Sequence, residues 1–234
     1  MMETGAPNDS SDLAHTWSVF FALMAAAFRY PDDRQIALIS EGVFCDELMA
    51  CLAQIAPDLE NEVNGSALAQ TGTNDDLQLE YTRLFDVTSS AAGCSLHSGF
   101  YRGPRMSQME ELLRFYNHFG LSLIEGQSEL PDHLTTQLEF LQFLSYCEAE
   151  LIAKGTDADD QRRAKRDFVA RYPLRWLPQL QDKFKQAQAM GFYQELVRVL
   201  IAALASEYQV LAQLLGEAGL ESTSDELLYT QIRT

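Results

Sequence analysis

The stretch "ELPDHLTTQLEFLQFLSYCEAE", residues 129–150, opens with an acid, a proline and an Asp-His pair, then runs into a leucine-rich amphipathic segment. That spacing predicts a helix over 131–152. Pro131 suits the first helical position, where its missing N–H costs nothing. Asp132 would then sit in the first turn, where the positive end of the helix dipole favours a carboxylate by about 0.3–1 kcal/mol. A helix start alone accounts for Asp132. His133 is less simply explained. The helix N-terminus disfavours imidazolium, whereas Asp132 and Glu129 favour it, so the ring is expected to act as a neutral donor and acceptor.

The same 3.6-residue period recurs on both sides. A first helix is expected from about Ser10–Asp12, which supply capping oxygens, with Trp17, Phe20, Phe21, Met24 and Phe28 inward and Pro31 beyond its end. A second covers about 43–55. Residues 57–74 read as an acidic, glycine-bearing loop. Leu77, Tyr81, Leu84 and Phe85 form one stripe of the next helix, capped by Asn74 or Asp75. Residues 86–103, "DVTSSAAGCSLHSGFYRG", have no lasting period and read as a long loop, a kind of segment that is often functional. A helix from Pro104 to Phe119 ends at Gly120. Further helices are expected at about 158–171, 192–215 and 224–232, with Pro173 and Pro178 bracketing a short turn around Trp176. No strand pattern of useful length and no fixed repeat occurs. The fold class is all-α, an irregular multi-helix bundle. Residues 10–218 form the domain, with lobes 10–120 and 131–218 joined by a connector at 121–130. Residues 1–9 are expected to be disordered and 219–234 to form a tail.

Composition narrows the function. The 234 residues carry 34 acids against 17 bases, a formal charge of −17. No basic footprint for nucleic acid exists, and the negative field suits a cationic peptide or protein, although solubility alone accounts for such a charge equally well. Four cysteines lack CxxC or zinc-finger spacing and read as free buried thiols. No basic n-region precedes an apolar run, and "WSVFFALMAAAF" (17–28) is too short to cross a bilayer. A cytoplasmic protein without membrane insertion is expected. No HExxH, nucleophile elbow or phosphate-cradling loop appears, and the Gly pair of "GFYRG" is weak. Pro131 separates Glu129 from His133, and His15, His97 and His118 stand alone, so no metal site and no catalytic residues are expected.

The order of "EYTRLF" (80–85), "MEELLRFYNHFGL" (109–121), "ELPDHLTTQLEFLQFL" (129–144) and "RWLPQL" (175–180) resembles the TorD/DmsD/NarJ group of cytoplasmic redox-enzyme maturation chaperones. The likeness covers roughly residues 15–215, and the Pro-Asp-His-Leu element is its most specific part. It implies an all-helical TorD-like fold and no enzyme activity. The implied partner is the twin-arginine signal peptide, and sometimes the folded body, of a molybdenum oxidoreductase. The client, and not the chaperone, carries the molybdopterin cofactor, and the chaperone itself would be a monomer or a domain-swapped dimer. Carried over by position, the binding residues would be Tyr81, Leu84, Phe85, Glu129, Pro131, Asp132 and His133. The segment "AAGCSLHSGFY" departs from the group, which often has prolines there.

Physically, Asp132 and Glu129 could meet guanidinium through bidentate pairs, with Tyr81, Leu84, Phe85 and Leu134 lining an apolar groove. Plain core packing is the competing reading for Leu84, Phe85 and Leu134. Two other functional classes stay open: a metal- or nucleotide-dependent helical hydrolase using Asp132, His133 and Glu129, and a general helical adaptor.

Overall fold

The computed structural model describes residues 9–69, 72, 74–86, 93–122 and 129–219. The expected long helices are present. In chain order they are α1 (Asp9–Ala27), α2 (Asp33–Ser40), α3 (Val43–Ile55), the single turns α4 (Pro57–Glu60) and α5 (Gly65–Leu68), α6 (Asn74–Phe85), α7 (Arg105–His118), α8 (Leu134–Ala153), α9 (Asp159–Arg171), α10 (Pro173–Gln186) and α11 (Gly191–Leu215). A 3₁₀ turn at Ser98–Phe100 precedes α7. No strand forms among the described residues; the one extended pairing is an antiparallel bridge between His97 and His133. No helix of the described residues is long and apolar enough to cross a membrane. The proposed tail helix at 224–232 lies outside the described residues, as do residues 1–8, 87–92 and 123–128.

Four boundaries differ from the sequence reading. Ser10–Asp12 lie within α1 rather than before it, and Ser11 Oγ donates to Ala149 O of α8 at 3.1 Å. The 57–74 segment is not all loop, because α4 and α5 turn there and bury Leu59 and Leu68. The short α2 was missed; Asp32 caps it by accepting from Gln35 N at 2.8 Å, and Ile36 and Ile39 face inward. The region around Trp176 is a full helix. Pro173 takes its first position, but Pro178 lies inside it and forfeits a backbone bond. That cost, about 3 kcal/mol, is outweighed by the burial of Leu174, Trp176, Leu177, Leu180 and Phe184 along one face, at about 1.5–3 kcal/mol each.

A single cluster of buried side chains runs from Trp17 to Leu204. α1, from the first part of the chain, packs along α8 from the second. Gly120, the expected stop after α7, adopts φ +73°, a left-handed conformation natural to glycine.

Two aromatic groups within this core position the site. Tyr116 and Phe140 (4.9 Å between centroids) and Phe140 and Phe168 (4.8 Å) tie α7, α8 and α9 together. Tyr81, Phe85, Phe184 and Tyr193 join α6 to α10 and α11, with Tyr81–Phe85 at 4.7 Å and Phe85–Tyr193 at 5.3 Å. The second group turns the edge of α6 toward the start of α8.

Candidate functional site

The start of α8 is not the helix entrance that the proline suggested. Pro131 and Asp132 precede the helix, and His133 is its N-cap residue, in extended conformation. Its Nδ1 accepts from Thr135 N at 3.3 Å and lies 2.7 Å from Thr135 Oγ1. The 129–133 segment is held instead by residues 96–105. Leu134 N donates to Leu96 O at 2.8 Å, and Ser98 N donates to Asp132 O at 2.9 Å. Tyr116 Oη donates to Pro131 O at 2.9 Å. Gln137 Nε2 donates to Ser98 Oγ and Asp132 O, both at 3.2 Å, and Trp176 Nε1 donates to Gln137 Oε1 at 3.3 Å.

Asp132 is fully buried, which corrects its expected role as a groove carboxylate. Its Oδ1 accepts from His97 Nδ1 at 3.0 Å. Its Oδ2 accepts from Arg105 Nε at 3.0 Å and Gly99 N at 3.3 Å. Burial alone would raise its pKa, but the hydrogen bonds and charges of His97 and Arg105 bring it down to about 2. Asp132 therefore organises the corner from inside. With its oxygens occupied, buried Asp132 offers no base to a substrate. Burial, with help from the charge on His97, lowers His133 to about 4, so its ring is neutral at pH 7.

Gly99 stands at a close approach of the chain to Arg105 and Asp132. A Cβ there would overlap Arg105 Cγ and come within 2.9 Å of Asp132 Oδ2. Gly99→Ala is expected to cost about 1–3 kcal/mol and to lower the urea midpoint, whereas alanine at Gly103, which meets nothing within 4 Å, costs only its positive φ.

Beside this corner lies a cleft of about 300 Å³, lined by Tyr30, Tyr81, Thr82, Phe85, Asp86, Leu96, His97 and His133. It brings together Tyr81, Phe85 and His133 from the sequence reading. Glu129 stands next to it, half exposed, with Oε2 3.4 Å from His133 Nε2. Burial and the charge of Glu129 push Tyr81 up to about 12. Its hydroxyl stays protonated and donates to Phe28 O at 3.3 Å. Leu84 and Leu134 are fully buried core residues, and Pro131 is buried too, so none of them lines the cleft. Tyr30, Leu96, His97 and Arg105 were missed. Their partners lie 27–51 residues away along the chain, and no local pattern announces them.

A larger depression, about 530 Å³, is lined by Arg102, Arg114, Arg171 and Arg175 with Phe115 and Tyr172. Its charge has the wrong sign for a cationic ligand.

Residues 45–182 match the model of the family described as nitrate reductase delta subunit, more than half of the 234 residues. The chain belongs to this family. It is a maturation chaperone of the TorD/NarJ type and not an enzyme. Among similar proteins, the selenate reductase assembly chaperone protein of Thauera selenatis is 36% identical over 148 residues, 62% of this chain and 77% of that protein. The chlorate reductase assembly chaperone protein of Ideonella dechloratans is 36% identical over 114 residues, covering 48% and 59%. The perchlorate reductase assembly chaperone protein of Dechloromonas aromatica is 27% identical over 182 residues, covering 76% and 81%.

Proposed function

We propose that this chain is a cytoplasmic chaperone for the catalytic subunit of one molybdenum oxidoreductase, which it holds by a twin-arginine leader until the cofactor is in place and export can begin. The names of its relatives, assembly chaperones of selenate, chlorate and perchlorate reductases, support the client class. The observation that carries the leader reading is the composition of the smaller cleft. Tyr30, Tyr81, Phe85 and Leu96 offer apolar surface, while the neighbouring half-exposed Glu129 offers a carboxylate. Guanidinium groups pair with carboxylates and stack on aromatic faces, and the apolar segment of a leader would cover the rest. The −17 charge of the chain adds long-range attraction for a basic segment.

Titration of a synthetic leader peptide by calorimetry tests this. Tyr81→Ala and Glu129→Gln are each expected to weaken binding about tenfold, roughly 1.4 kcal/mol. Affinity should fall between low and high salt, because Glu129 is exposed and screened. A peptide whose two arginines are replaced by lysines should bind more weakly, since lysine cannot form the bidentate fork. Equal affinity of the parent chain and the double variant would place the leader elsewhere.

A further inference from the structure

We propose that His97, His133 and Glu129 form a binding site for a divalent transition metal of the zinc class, with a fourth position left to solvent or an incoming ligand. One ligating atom from each of the three lies within 4.8 Å of the others. His133 Nε2 and Glu129 Oε2 stand 3.4 Å apart. A tetrahedral ion with bonds of about 2.0–2.1 Å spaces its ligands by roughly 3.3–3.4 Å, so one edge of the tetrahedron is already set. The remaining edges need an inward shift of at most about 1.5 Å from the 4.8 Å limit. Glu129, half exposed on a surface segment, can adjust its own edge to His97, and the two rings close the edge between them.

The two rings are also oriented from behind. Asp132, ion-paired with Arg105, accepts the Nδ1 hydrogen of His97 at 3.0 Å, which leaves the Nε2 lone pair of that ring free to ligate. This carboxylate–histidine pairing is a common outer support of metal-bound imidazole. The second ring has a comparable support in Thr135, whose Oγ1 lies 2.7 Å from His133 Nδ1. Without metal, Nδ1 of His133 accepts from Thr135 N and its proton sits on Nε2, facing Glu129. Ligation through Nε2 moves that proton to Nδ1, where Thr135 Oγ1 accepts it. The 3.3 Å cap bond is given up in exchange. The bridge between His97 and His133 fixes both backbones, and their rings lie 4.8 Å apart at 71°. Two imidazoles and one carboxylate suit Zn²⁺, Co²⁺ or Ni²⁺ and not Mg²⁺ or Ca²⁺, which take mostly oxygen.

The test uses the full chain, freed of metal and then titrated with Zn²⁺ and Co²⁺ without any peptide. The expected result is one ion per chain, with a Co²⁺ visible spectrum of nitrogen and oxygen ligation. Glu129→Gln and His97→Gln should each weaken Zn²⁺ binding tenfold or more, and the pair should abolish it. Glu129→Gln is on the surface and leaves folding intact, so its effect is readable even if His97→Gln disturbs Asp132. Equal binding by the double variant, or a thiolate band assigning the ion to Cys45, Cys51, Cys94 or Cys147, overturns the proposal. So does a chain that retains no ion after desalting. Because no leader is present, each of these failures leaves the leader reading standing. If both readings hold, Zn²⁺ competes with the leader for Glu129 and weakens its binding.

Discussion

Lys165→Met is expected to destabilise the fold by about 3–5 kcal/mol, because it leaves buried carboxylates without their counter-charge. Lys165 is 1% exposed. Its Nζ lies 2.8 Å from Glu148 Oε2 and 2.6 Å from Glu207 Oε1, and Arg162 Nε lies 2.8 Å from Glu148 Oε1. These groups join α8, α9 and α11 across the core. Burial would lower the pKa of Lys165, but the two carboxylates raise it, and the ammonium stays charged. Burial raises Glu207 in spite of Lys165. The sign of the pH effect follows. A carboxyl whose folded pKa exceeds its unfolded one destabilises the fold while ionised, and the fold regains that stability as pH falls through the folded value. Without Lys165 the rise is larger. The stability gap between variant and parent, read from urea midpoints, should therefore narrow as pH drops from 7 toward 5. A gap constant over that range would mean that lost packing, and not an uncompensated charge, sets the cost. Lys165→Met with Glu207→Leu should recover most of the loss, since Arg162 still holds Glu148 and an apolar pair can replace a buried ion pair at little cost.

Asp132→Asn is expected to cost about 2–3 kcal/mol and to weaken leader binding only as a consequence. The amide keeps the shape but removes the charge that gathers His97, Arg105 and Gly99 N. The cost stays below that at Lys165 because the Arg105 side chain is 35% exposed and can turn toward water. Glu129→Gln should do the reverse, with no measurable loss of stability from an exposed pair but a direct loss of peptide affinity. Thermal melts and calorimetry on both variants separate the roles. Asp132→Asn with intact stability and lost binding would return Asp132 to the groove.

The helical bundle was legible because the long helices write their core faces as a 3.6-residue stripe, from Trp17–Met24 on α1 to Phe192–Leu211 on α11. The elements that escaped are short or carry a breaker. α4 and α5 are single turns with one buried leucine each, and α10 holds Pro178 against its propensity through five buried neighbours. The Pro-Asp-His-Leu element was visible as something unusual, and Tyr81, Phe85 and His133 do meet at one cleft. Which way each side chain faces was not visible. A stripe at helical spacing places Leu84 and Phe85 on one face but cannot say that Leu84 is sealed while Phe85 reaches the cleft edge.

The amino-acid sequence by itself determined the all-α class, most long-helix boundaries and the family likeness, because periodicity, caps and motif order are local properties of the chain. Only the tertiary structure decided that Asp132 turns inward to Arg105 and His97, and that His97 stands beside His133 and Glu129. Those contacts close loops of 27 to 36 residues and depend on how α7 and α8 pack, and no local pattern encodes the direction of a carboxylate across such a span.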